Sequence, residues 1–154
     1  MIRLLLVDDH PVVRTGYQRL LEQAGDISVV AQADRVDLAY AEFVAHTPDV
    51  TVTDLSMPGS GGLELIRRIL ARDASARVLV FSMHDSALLV RRAFDAGARG
   101  FLSKSSAPEK LIEAVRAVHL GQRYLSDDLS PALLERDARY EASQLDSLTA
   151  RELE

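Results

Sequence analysis

Five side chains in this sequence of 154 residues could act together in chemistry: Asp8, Asp9, Asp54, Ser82 and Lys104. Each follows a short apolar, β-rich run: the acid pair after 2–7, the third acid after 50–53, the hydroxyl after 78–81, and the lysine just past 100–102. Three carboxylates in one small site repel one another, and they stay ionised together only with a cation among them. Magnesium, or manganese in its place, suits such a site. It prefers carboxylate, carbonyl and water oxygens and keeps several waters, so two or three protein ligands suffice. A lysine beside the acids neutralises an incoming phosphoryl group as a point charge, and a serine hydroxyl hydrogen-bonds one of its oxygens. The set describes phosphoryl transfer to a carboxylate. Taken singly, each residue has a plainer reading as a strand-ending turn, a solvated charge or a strand-end hydroxyl. Their order at successive strand ends separates the two readings.

Residues nearly a hundred positions apart meet only if the fold carries them to one rim. Runs at 2–7, 27–31, 50–53, 78–81 and 100–102 have the length and apolar content of buried strands. Amphipathic stretches lie between them. The first opens at Pro11, a first-turn proline, puts Val13, Tyr17, Leu20 and Leu21 on one face and stops at Gly25. The others cover 36–45, 62–72, 86–96 and 107–120, where Leu111, Val115 and Val118 recur on one side. This alternation predicts an α/β (βα)5 fold, a doubly wound five-stranded parallel sheet with helices on both faces. Its binding crevice lies at the carboxyl ends of the strands, where the five side chains sit.

Composition limits the function classes. A chain that is 47% hydrophobic and 27% charged folds rather than stays disordered. It has no cysteine, hence no disulfide or thiolate metal site, and its first apolar run is too short for a membrane span or signal peptide. A cytoplasmic location with no membrane contact is expected. A net charge of −5 disfavours a broad nucleic-acid footprint. Gly59, Gly61 and Gly62 form a loop before a helix but fit no nucleotide-binding pattern, and His10, His46, His84 and His119 are too scattered for a metal site. By position, His10 belongs at the pocket rim.

The segments Val7-Asp8-Asp9-His10, Asp54-Leu55-Ser56-Met57-Pro58-Gly59, Ser82 and Gly97-Ala98-Arg99-Gly100-Phe101-Leu102-Ser103-Lys104 match, in order and spacing, the motifs of response-regulator receiver domains. Residues 1–120 therefore resemble a receiver of flavodoxin-like fold. The resemblance implies that Asp54 accepts a phosphoryl group from a cognate sensor histidine kinase, self-phosphorylation and autodephosphorylation there being its only chemistry. It also implies that Asp9, Asp54 and the Ser56 backbone carbonyl ligate magnesium with Asp8 assisting, that Ser82 and Lys104 bind the phosphoryl group, and that Ser82 and Phe101 form the switch. Simple core packing is the other reading of Phe101. Ser56 and His84, flanking the acceptor, are expected to tune the phosphoryl lifetime. Many receivers carry proline after the lysine, often after a cis bond; Ser105 stands here, and a cis bond before serine costs about 3 to 4 kcal/mol.

Residues 121–147 read as a polar linker, partly helical around Leu133 to Tyr140. In 148–154, Thr149 and Glu152 are spaced as a capping box. This resembles the first turn of the LuxR-type helix-turn-helix domain of NarL/FixJ regulators, truncated here. The resemblance implies homodimerisation on phosphorylation and DNA contact only through the missing C-terminal domain. Two alternatives stay open: a receiver acting by protein contact alone, and an aspartate-nucleophile phosphatase of the haloacid dehalogenase type. The phosphatase would place its nucleophile in an Asp-x-Asp motif at the first strand, where this chain has adjacent acids.

Overall fold

The computed structural model describes residues 1–57, 61–83 and 86–126. Apolar runs and amphipathic stretches alternate as β1 (Ile2–Val7), α1 (Pro11–Gln23), β2 (Ile27–Ala33), α2 (Val36–His46), β3 (Val50–Thr53), α3 (Gly61–Arg72), β4 (Val78–Ser82), α4 (Ala87–Ala96), β5 (Gly100–Ser103), α5 (Glu109–His119) and β6 (Tyr124–Leu125). All strands pair in parallel in the order β2-β1-β3-β4-β5-β6. Every residue of β3, β4 and β5 is buried, which explains why these strands are continuous rather than alternating apolar runs.

Helices cover both faces. Leu5, Val7, Val80 and Phe101 of the sheet pack with α2, α3 and α4 on one side. Leu4, Leu6, Val52, Leu79 and Leu102 pack with Leu21 of α1 and with Leu111, Ala114, Val115 and Val118 of α5 on the other. Pro11 sits in the first turn of α1, and Gly25, at φ +87°, follows that helix's end. From β1 the chain passes to β2 on one side and then to β3 on the other. The strand order therefore reverses between β1 and β3, the strands that carry the acid pair and Asp54.

The sheet has six strands, not five. Tyr124 and Leu125, read from sequence as the start of the linker, pair with Gly100 and Phe101 of β5. Two residues carry no periodicity of their own, and this strand exists because β5 offers it an edge. Gly100 makes room for it: a Cβ there would lie 3.2 Å from Tyr124 Cβ and 2.8 Å from Leu79 Cδ1. Helix α5 also starts at Glu109, two residues later than its apolar pattern suggests, because Pro108 occupies the N-cap. The linker beyond 126 and the capped turn at 148–154 lie outside the described residues.

Candidate functional site

The carboxyl edge of the sheet gathers the acids around one lysine. Asp8 follows β1 directly and Asp54 follows β3; the two strands are neighbours, with Val7 opposite Thr53. Lys104, one residue past β5, reaches back across β4 and donates to Asp8 Oδ2 and Asp54 Oδ2, both at 2.7 Å. The three side chains are only 7%, 3% and 6% exposed, so water screens this triad little. Burial pushes the Asp8 carboxyl up, but the Lys104 hydrogen bond, the His10 amide and the lysine's charge outweigh it and hold Asp8 below its ordinary 3.8. Burial likewise pushes the Lys104 ammonium down, and its bonds to Asp54 and Asp8 more than reverse this.

Main-chain donors complete the carboxylates' surroundings. The Ser56 amide donates to Asp54 Oδ1 at 3.1 Å, and the His10 amide donates to Asp8 Oδ1 at 2.9 Å. Arg14, from the first turns of α1, donates to the Asp8 main-chain carbonyl at 2.7 Å and to Gln32 at 2.9 Å, which anchors the loop carrying the acid pair. Asp9 differs from the other two acids. Its Oδ1 is buried without a hydrogen bond, although the His10 ring nitrogen stands 2.9 Å away. An acceptor left in that state is costly unless a cation takes it up.

Asp8, Asp9 and His10 offer ligand atoms within 4.8 Å of one another, the one such group among the described residues. The cluster can hold a metal ion, and three carboxylates facing one ammonium leave the negative charge such an ion needs. In this conformation Asp54 is drawn to Lys104 and stands outside that group, while Ser56 lines the pocket mouth. His10, expected only at the rim, enters the cluster.

Ser82 ends β4 fully buried, and its carbonyl accepts from the Lys104 amide at 2.8 Å. Phe101 is wholly enclosed in the core on the α3 and α4 side, as the packing reading requires. His84 falls outside the described residues. Among those residues there is no cis peptide bond, so Lys104 and Ser105 are joined in trans.

Three features escaped the sequence reading. Tyr17 and Phe81 meet edge to face at 4.7 Å and flank the Lys104 ammonium, 5.9 and 5.6 Å from their ring centres. Burial raises the Tyr17 hydroxyl above its ordinary 10.0. The one available signal was the helical spacing of Val13 and Tyr17, which both line a pocket of about 280 Å³ with Asp54, Ser56, Met83 and Lys104. Gly62 is the third. It lies in the first turn of α3, where the helix expected over 62–72 begins, but what the sequence does not show is that a Cβ on it would come within 2.2 Å of the Asp54 carbonyl oxygen. Only glycine lets α3 begin against the backbone of Asp54.

A doubly wound parallel sheet whose strand-order reversal holds an acid cluster, a buried lysine and a strand-end serine defines the class as a receiver-type signalling domain. The chain belongs to the response regulator receiver domain family, which matches residues 4–116. Its relatives are two-component response regulators of the LuxR type. Response regulator UvrY of Escherichia coli is 39% identical over 156 residues, a match that spans 100% of this chain and 72% of the relative. A LuxR-family two-component response regulator from Aurantimonas sp. superposes with a TM-score of 0.81 at 41% identity, covering 92% of this chain and 99% of that one. The isolated receiver domain of RcsB from Salmonella enterica serovar Typhimurium, solved with the phosphomimetic BeF3−, gives 0.75 at 27% identity, covering 88% and 96%. RcsB dimers bound to DNA give 0.78 at 28% identity over 87% of this chain and 68% of that one. Among the described residues no helix is long and apolar enough to cross a membrane.

Proposed function

We propose that this protein is the phosphorylatable, regulatory part of a cytoplasmic transcription regulator, and that it takes a phosphoryl group on Asp54 from a sensor histidine kinase. The observation that carries the reading is the Lys104 ammonium held at 2.7 Å from both Asp8 and Asp54 in a pocket open at the sheet edge. In the transfer an Asp54 carboxylate oxygen attacks the phosphorus of a phosphohistidine. The new P–O bond forms as the P–N bond breaks, and the imidazole leaves with that bond's electron pair. Lys104 is already placed to take up the charge that the phosphoryl oxygens bring, and Ser82, at the end of the neighbouring strand, has the hydroxyl to bond one of them.

Asp8, Asp9, Asp54 and the Ser56 carbonyl are the groups that would hold magnesium, or manganese. When bound, that ion supplies positive charge against the phosphoryl oxygens and the crowded acids. Water attacking the phosphorus of the aspartyl phosphate then breaks its P–O bond to Asp54, releasing inorganic phosphate and restoring the carboxylate, and phosphorylation and this autodephosphorylation are the only reactions we assign to the site.

Phosphorylation then acts by population shift, since a phosphoryl group favours the conformation that contacts it better. Ser82 and Phe101 link the pocket to the face of α4, β5 and α5. Homodimerisation and DNA binding through a C-terminal domain follow as the output, a reading supported by the capping-box spacing of Thr149 and Glu152 and by the RcsB dimers bound to DNA. The test is intact-mass analysis after incubation with acetyl phosphate and magnesium. Wild type should gain one phosphoryl group, and neither Asp54→Asn nor wild type in chelator should gain any. Equal gain by Asp54→Asn contradicts the proposal.

A further inference from the structure

The short strand β6 influences β5 beyond its own length. The Tyr124 amide donates to the Arg99 carbonyl and the Ser126 amide to the Phe101 carbonyl, each at 3.1 Å, as alternate rungs of a parallel ladder. In a longer ladder the next rung would join the Ser103 amide to a main-chain carbonyl. Instead, Ser103 N donates to the Ser126 side-chain Oγ at 2.8 Å, and that hydroxyl donates onward to the Phe101 carbonyl at 3.3 Å. Ser126 is 2% exposed and Ser103 1%, so water offers no ready substitute.

On the other flank of β5 the very next amide, that of Lys104, donates to the Ser82 carbonyl at 2.8 Å. Two consecutive amides thus pin the end of β5 between β4 and the residue after β6. Past the lysine, Ser103 Oγ and Ser105 Oγ are 2.7 Å apart, and the Ser105 amide donates to Ser103 Oγ at 3.3 Å, so the turn after Lys104 is tied to the same serine. The backbone that projects Lys104 into the pocket is fixed from both sides, and on one side a side chain does it.

We propose that Ser126 is a positioning residue for phosphoryl uptake: its hydroxyl holds the end of β5, and with it the origin of the Lys104 side chain. This rests on the reading of Asp54 as phosphoacceptor. It assigns the reaction a residue that lies 22 positions past the lysine and outside the pocket. Ser126 touches no reacting group and acts only through Ser103.

The experiment uses the 154-residue chain as wild type, Ser126→Ala, Ser126→Thr and Ser126→Cys. Phosphoryl uptake from acetyl phosphate with magnesium is timed by intact mass, and amide hydrogen exchange is followed by NMR. Ser126→Ala should take up phosphate about fivefold more slowly, the effect of one net hydrogen bond on a rate. Its Ser103 amide should exchange faster while those of Leu4, Leu5 and Leu6 keep their protection, which a general loss of stability would not produce. Ser126→Thr, which keeps the hydroxyl, should restore both. If the alanine form does not fold, Ser126→Cys, with a weaker acceptor, should fall between wild type and no uptake. Uptake by Ser126→Ala at the wild-type rate, or slowed uptake with Ser103 exchange unchanged, overturns the inference alone. A wild type that takes no phosphoryl group overturns the functional reading and this inference with it.

Discussion

Two charged clusters tie distant parts of this chain together with nearly the same geometry and opposite surroundings. At the carboxyl edge of the sheet, Lys104 binds Asp8 and Asp54 at 2.7 Å with all three side chains under one-tenth exposed. Elsewhere, Arg116 of α5 grips Asp26, just before β2, through two bonds of 2.9 Å, with the side chains 49% and 46% exposed. The second pair is a fork-to-fork contact of the strongest kind in form, yet water and salt screen it. The first has two acids for one cation in a dry site. Distance alone therefore says little; burial and charge balance decide which cluster is a fastening and which is poised for chemistry. The acid edge is under-neutralised, and that shortfall leaves a place for a cation, which the proposed phosphoryl transfer would use.

The largest effect should come from Lys104→Met. It leaves Asp8 and Asp54 buried against each other without a cation, and breaking a buried pair in this way costs about 3 kcal/mol or more. Thermal unfolding without metal should show a deep drop in Tm, and magnesium should recover part of it by replacing the lost charge. A drop that is the same with and without magnesium would mean that the acids do not form a cation site.

Next in size is Gly62→Ala. The new methyl would press on the Asp54 carbonyl, a backbone atom that cannot rotate away, so a loss of about 1 to 3 kcal/mol is expected from overpacking. Gly16→Ala is the control. Gly16 lies inside α1 with open space around the position, and alanine there should stabilise by roughly 0.5 to 1 kcal/mol through helix propensity. Urea denaturation of the two variants should move the midpoint in opposite directions. Equal shifts would show that the contact with Asp54 does not constrain the start of α3.

The smallest effect belongs to the exposed pair. Asp26→Asn should lower Tm slightly at low ionic strength and not measurably in high salt. The hydrogen bond from Arg116 leads the causes that hold Asp26 below its ordinary 3.8. A carboxyl depressed on folding stabilises above its unfolded value and loses that contribution as pH falls through the folded one. The difference between wild type and Asp26→Asn should thus be present at pH 6 and vanish in acid below the usual carboxylate range. A gap that widens in acid would contradict the assigned role of Arg116.

Much of the architecture was legible because it rests on local signals. Apolar runs wrote the first five strands, Pro11 and Gly25 bracketed α1, and the acids and lysine stood at strand ends that a right-handed parallel fold must bring to one rim. What escaped depends on tertiary neighbours. Tyr124 and Leu125 form a strand only beside the edge of β5. Gly62 reads as the start of a helix, and nothing local says that a side chain there would meet the Asp54 carbonyl. Tyr17 and Phe81 read as helix face and strand core, and nothing local says that their rings flank an ammonium group. Asp54 itself was identifiable as a strand-end acid, but not that its carboxylate would be held by Lys104, because that bond joins side chains 50 positions apart across the intervening strand β4.

The central claim is that one carboxylate, Asp54, receives the phosphoryl group. After incubation with acetyl phosphate and magnesium, borohydride reduction converts an aspartyl phosphate to homoserine and leaves phosphoserine unchanged, and peptide mass spectrometry locates the product. Homoserine should appear at position 54 and at neither 8 nor 9. Homoserine at Asp8 or Asp9, or a phosphate that survives reduction at Ser56 or Ser82, would contradict the assignment.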